Sequence, residues 1–195
     1  IARALDDSSA GVREHALRLA EPQLASSQKL RDKVMTLAED TNARAQFQAA
    51  FTLGETDDSR AAGALARIAR RNAGDVWIRT AILSSALRLA GGMIEQLLAD
   101  DAAFAGSANG QQFLRQLALL VGSRNQPAEV RKVLKVAEDS AAASQAGGRR
   151  SRVMGLGEGR RHSRSSLGGY LKDSPSSAAL LAGLMRFVHT ATHVR

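Results

Sequence analysis

The sequence predicts an all-α chain: an α-solenoid of about four helical hairpins over residues 1–139, then, within residues 140–195, a basic Ser/Gly/Ala-rich connector followed by a C-terminal helical extension, an amphipathic helix over residues 176–194. Three observations predict it. A motif recurs at a step of 33 residues, from Asp7 to Asp40, and self-similarity at such a period is the signature of stacked structural repeats. Apolar residues between the copies fall at helical spacing. The composition is 44% hydrophobic but only 4% aromatic. A chain dominated by Ala and Leu suits closely approaching helices better than pleated strands.

Taken in order, residues 7–21 recur as residues 40–55, and a third copy keeps the step. Val12, Ala45 and Ile78 align, as do Arg13, Gln46 and Arg79, and Ala16, Ala49 and Ile82. A fourth copy falls around Leu114, Arg115 and Ala118, where the step from Ile82 lengthens to 36 and predicts a short insertion within residues 104–109. The second helix of each hairpin is marked by Leu30, Val34 and Leu37; by Ala62, Leu65, Ile68 and Ala69; by Met93, Ile94, Leu97 and Leu98; and by Val130, Val133, Leu134, Val136 and Ala137. Each hairpin then buries its apolar faces against the next, giving one continuous core. Asp7, Asp40, Asp57 and Asp75 precede helical patterns, where a carboxylate can accept from free helix amides. Gly54, Gly74, Gly91, Gly92 and Gly122 are expected to mark helix ends. An Arg six residues after Asp7 can also pair with an acidic turn residue of the neighbouring repeat, a pattern that Gln46 interrupts.

The order Asp, then Val-Arg, then Ala-Leu in residues 7–17 resembles HEAT repeats, in particular the short bacterial phycobilisome-lyase-like kind, over residues 1–139. A narrower likeness comes from residues 47–55, 61–69, 77–85 and 153–159. In that order they resemble the helical region of planctomycete-type proteins in which a membrane-bound-dehydrogenase-like propeller precedes HEAT repeats and a c-type cytochrome domain follows. That likeness implies a connector between redox-type modules and a periplasmic or exported location. It transfers no redox residue, because neither the propeller nor a haem-binding Cys-x-x-Cys-His motif is present in these residues.

Composition narrows the function classes. With no cysteine, disulfides and thiolate metal sites are excluded within these residues, and no cofactor is expected. The longest apolar stretch, residues 178–188, is broken by Arg186 and is shorter than the ~20 residues of a membrane span. The chain opens with Ile1 and has no charged-then-apolar leader, which predicts a piece of a longer protein or a processed product. The net charge of +8 is unevenly placed: residues 1–139 hold 18 Lys or Arg against 17 Asp or Glu, and residues 140–195 hold 9 against 2.

Several constellations could carry chemistry. His189 and His193 share a helix face at i, i+4, but Thr190 stands where a metalloprotease helix needs Glu, so incidental surface histidines are expected. Residues 155–159 carry three glycines without a preceding strand, which favours a helix interruption over a phosphate cradle. Arg149, Arg150, Arg152, Arg160, Arg161 and Arg164, interleaved with serines, form a candidate anion-binding cluster, against the alternative of a solvated connector. Phe47 and Phe51 lie one turn apart, in columns that also hold Thr80, Ser84 and Gln116. Such mixed columns mark a candidate partner-binding patch or packing under an adjoining element. Trp77 is expected to anchor packing between repeats.

No Ser-His-Asp set and no paired carboxylate emerges, so no catalytic residue is expected. The reading is a non-catalytic scaffold or interaction segment whose partners are a protein or neighbouring domains of the same polypeptide. Two alternatives stay open. HEAT-like proteins include nucleic-acid binders such as alkylpurine DNA glycosylases, though here the basic excess lies in the tail rather than along the repeats. A bilin lyase is suggested by repeat type alone.

Overall fold

The computed structural model describes residues 1–139 other than Asp101, together with Leu156 and Glu158, and among these the chain is all-α, with no strand. The arginine cluster of residues 149–164, the extension helix expected over residues 176–194, and His189 and His193 lie outside the described residues. The helices are α1 (Ala10–Ala20), α2 (Gln28–Thr36), α3 (Ala43–Gly54), α4 (Ala61–Asn72), α5 (Val76–Ser85), α6 (Ala90–Asp100), α7 (Ala102–Gly106), α8 (Ala108–Arg124) and α9 (Pro127–Asp139). Short 3-10 turns occupy Ala4–Asp6, Glu21–Gln23 and Leu37–Glu39.

Local chemistry sets most of these boundaries. Ser27, Asn42, Asp75 and Ser107 cap α2, α3, α5 and α8, each accepting from a backbone amide of its first turn, which satisfies donors that the helix itself leaves free. Asp75 accepts twice, from Trp77 and Ile78 at 2.8 and 3.0 Å. Asp7 and Asp40 lie two positions before the N-caps Ser9 and Asn42: their carboxylates accept from the amides of Ser9 and Asn42, tightening the turn before the helix. Asp57 caps nothing. Its side chain is 87% exposed and pairs with Arg88, while Asp58 accepts from the Arg60 amide ahead of α4. Gly91 and Gly92 are the second and third residues of α6, and Gly122 is the third from the end of α8, so these glycines sit in terminal turns without forming the caps. Helix α8 instead stops where Asn125 turns left-handed at φ 52°, a conformation that Asn tolerates better than most side chains.

Helices of like position pack on one another. Helix α1 lies against α3, α3 against α5 and α5 against α8; α2 lies against α4, α4 against α6, and α6 against α8 and α9. One continuous apolar cluster runs from Leu5 through Leu17, Leu53, Leu65, Ile82, Ile94, Leu117 and Val133 and takes in Leu156. Alanine allows this closeness: Ala16, Ala45, Ala49, Ala81 and Ala118 are all 2% exposed or less. Two approaches leave no room for a side chain: a Cβ at Gly54 would sit 2.5 Å from Ser85 Cβ, and one at Gly110 would overlap the Phe104 carbonyl oxygen. The lengthened step between the third and fourth copies corresponds to α7, whose Phe104 meets Phe113 of α8 edge to face at 6.4 Å.

Candidate interaction surface

Polar side chains tie the row of α1, α3 and α5 together. Arg13 of α1 reaches Asp40 with Nε and Nη2 at 2.6 and 2.8 Å, and its Nη1 donates to the carbonyls of Asp7 and Ser8. This is the cross-repeat pairing that the Asp and Arg spacing allowed. Where the motif is interrupted, the bond changes in kind: the position equivalent to Asp40 becomes Ala73, and Gln46 Oε1 instead accepts from Asn72 at 3.0 Å. Arg79 repeats the local half of the arrangement, donating to the carbonyl of Ala73, six residues back, as Arg13 does to Asp7. A second polar set joins α1 and the turn after it to α3. Arg18 donates to Gln48 at 2.8 Å, and Gln48 and Thr52 both donate to the Glu21 carboxylate at 3.1 and 2.9 Å. Sequence reasoning missed this set; its signal was two polar residues, Gln48 and Thr52, at helical spacing on an otherwise apolar face.

The solvent side of the same row carries the predicted columns. At the α1 end, Glu14 is nearly buried and holds two guanidinium groups, Arg18 at 2.8 Å and Arg44 at 3.0 Å. In the middle, the Phe47 and Phe51 rings meet edge to face at 5.1 Å and 81°; Phe47 leans on the core while Phe51 remains 36% exposed. On α5, Thr80 and Ser84 are exposed, with their hydroxyls donating back to the carbonyls of Val76 and Ala81. On α8, Gln116 is only partly exposed, and its buried Oε1 has no hydrogen-bond partner among the described residues. Phe51, Thr80 and Ser84 therefore present themselves to solvent, whereas Phe47 and Gln116 are largely withdrawn.

Trp77 overturns its expectation. It is 76% exposed and so cannot anchor packing between repeats. The physical reason is register: Ile78, 3% exposed, takes the column of the fully buried Ala45, which turns its neighbour Trp77 outward in the first turn of α5. Trp77 stands one turn before Thr80, in the column of Arg44, and beside it Val76 is 58% exposed. The outer surface of α3 and α5 thus exposes Phe51 in the last turns of α3 and Val76 and Trp77 in the first turn of α5, with the Glu14 charge cluster on the α1 side.

Electrostatics offer no excess positive groove here. Arg13, Arg18, Arg31, Arg44, Arg60 and Arg67 each pair with a carboxylate. Two carboxylates are held unusually acidic. The Asp58 carboxyl is pulled down to about 2 by hydrogen bonds from the Arg60 guanidinium and amide, against a smaller opposing effect of burial. Burial pushes Asp40 up, but the Arg13 fork and the Asn42 amide outweigh it and hold Asp40 below the usual carboxylate range. Among the described residues, no group of three His, Asp or Glu is placed to hold a metal ion, and no helix is long and apolar enough to cross a membrane. No protein-family model, curated protein or solved structure matches the chain.

Proposed function

We propose that this chain is a non-catalytic interaction module, a HEAT-like solenoid segment that holds a protein partner or a neighbouring domain of the same polypeptide. The observation that carries the reading is the exposure of Phe51, Val76 and Trp77 on the outer surface of α3 and α5, with the exposed Thr80 and Ser84 on the same helix as Trp77, on helices that are otherwise well packed. Aromatic side chains gain most at interfaces when they are surrounded by groups that exclude water, and Trp is among the residues most enriched at binding hot spots. The solenoid part of the reading is supported by the 33-residue step and by the like-on-like packing of α1, α3 and α5. The connector role between redox-type modules is supported by the sequence resemblance alone.

A photoreactive side chain at Ser84 tests the reading directly in the source cells. A discrete polypeptide crosslinked there, and absent when the group sits at Asp57, is the expected result. No discrete product at Ser84 would contradict it. The nucleic-acid alternative draws on the basic tail, and the paired arginines of the repeats count against it. A salt-dependent shift of duplex DNA that survives deletion of residues 140–195 would favour that alternative.

A further inference from the structure

The outer face of α1 carries a stripe that no described element covers. Val12 is 40% and Leu19 62% exposed, and with His15 and Ala16 they line an open cleft of about 400 Å³ completed by Ile1, Ala4, Ser9 and Gly11. The same columns in the later copies are buried, apart from the half-buried Ser85 at the end of α5. The equivalents of Val12, His15, Ala16 and Leu19 in α3 are Ala45, Gln48, Ala49 and Thr52, exposed by 0, 7, 0 and 0%. In α5 they include Ile78, Ala81 and Ile82, and in α8 Leu114, Leu117, Ala118 and Val121, all 3% exposed or less.

The residues ahead of α1 point the same way. The 3-10 turn Ala4–Asp6 lies 33 residues before the 3-10 turn Leu37–Glu39, which closes the second helix of a hairpin. In both, the following Asp amide donates three residues back, Asp7 to Ala4 and Asp40 to Leu37, at 3.4 and 3.1 Å. Both Asp residues then leave in the same conformation, φ −65°, ψ 145° and φ −55°, ψ 139°. Residues 1–6 thus have the backbone course with which an earlier hairpin would end. At the other end of the row, the outer side of α8 meets Leu156, which is fully buried, and Glu158, which pairs with Arg115. The two ends differ, which disfavours head-to-tail stacking of copies.

We propose that the Val12, His15, Ala16 and Leu19 face of α1 is the docking surface for one further helical hairpin of this repeat type, joined to Ile1 and extending the row of α1, α3 and α5. The proposal rests on the solenoid reading. Its occupant is chemically defined by what α1 offers α3: an apolar helix face with a carboxylate just past its C-terminus, as Glu21 is offered to Gln48 and Thr52. That carboxylate would meet His15, which holds the column of Gln48, while Leu19, in the place of Thr52, takes an aliphatic contact instead of a hydrogen bond.

The chain contains no cysteine, so a single introduced thiol reports burial. A copy of residues 7–33 is placed directly before Ile1, so that Ile1 assumes the role of Val34, and thiol labelling rates are compared in the original and extended chains. In Leu19→Cys the rate is expected to fall at least roughly ten-fold on extension, the fall that local protection of about 1.4 kcal/mol gives. Thr52→Cys, in the equivalent internal column, is expected to be protected in both. An unchanged Leu19→Cys rate with Thr52→Cys protected would overturn the docking proposal and leave the solenoid reading standing. Fast labelling of Thr52→Cys would overturn both. A dimer of the original chain that Leu19→Lys dissociates would assign the face to a second copy and overturn the proposal.

Discussion

The Arg13 and Asp40 pair shows how a single contact serves two neighbouring turns. Asp40 is nearly buried and Arg13 about one-sixth exposed, and the guanidinium divides its donors between the Asp40 carboxylate and the carbonyls of its own N-terminal turn. Removing the acid leaves a partly desolvated guanidinium without its counter-charge, which costs more than the net worth of the pair. Asp40→Asn is expected to lower the unfolding free energy by about 1–3 kcal/mol in urea titrations. The same carboxylates set a pH dependence. Because Asp40 and Asp58 are more acidic in the folded chain than in the unfolded one, the stability they contribute is fully present above the ordinary Asp value, about 4, and is lost as pH falls toward about 2. Unfolding midpoints measured from pH 7 to pH 2 are expected to be steady above about 5 and to drop below about 4, with a shallower drop in Asp58→Asn. The Arg13 pairing was legible because an acid and a base recur at fixed spacing. The exposure of Trp77 was not, because a large apolar residue in a helix's first turn reads as core until register shows that Ile78 already fills that place.

At the scale of elements, the caps, the tight crossings and the inserted helix decide the geometry. Asp75 was readable as a cap from its place before an apolar run, and the break in period was readable as an insertion that proves to be α7. Asp57 was misplaced because two adjacent acids offered the same signal and only one, Asp58, reaches the Arg60 amide. Gly91, Gly92 and Gly122 were legible as helix-end signals only to within a turn, and Gly92 also serves close packing, since a Cβ there would lie 3.2 Å from Ala62. The crossing at Gly54 gives a prediction opposite in sign to helix propensity. On an isolated helix Gly→Ala stabilises by about 1 kcal/mol, but here the added carbon meets the Ser85 Cβ at 2.5 Å and its Cα at 2.9 Å. Gly54→Ala is therefore expected to destabilise by about 1–3 kcal/mol, with Ser85→Gly recovering part of the loss in a double-mutant cycle.

For the molecule as a whole, like-positioned helices packed in succession give a core with no single centre, and stability then depends on neighbour-to-neighbour interfaces. The all-helical class was legible because apolar residues keep helical spacing from one segment to the next. The surface was harder to read. The columns of Phe47 and Phe51 mix polar and apolar residues, which is compatible with either a groove or a covered face, and burial alone separates Phe51, at 36% exposed, from Phe47, which packs against the core. The outer surface of α3 and α5 is separable from the core in the same way: Trp77 and Phe51 can be changed with little effect on folding, while any partner that uses that surface must lose them. The most direct measurement is therefore crosslinking from a photoreactive group at Ser84 in Phe51→Ser/Trp77→Ser, compared with the unchanged chain at matched thermal stability. The account predicts a melting midpoint within about 4 °C of the parent and loss of the discrete crosslinked polypeptide. An undiminished crosslink at an unchanged midpoint would contradict it.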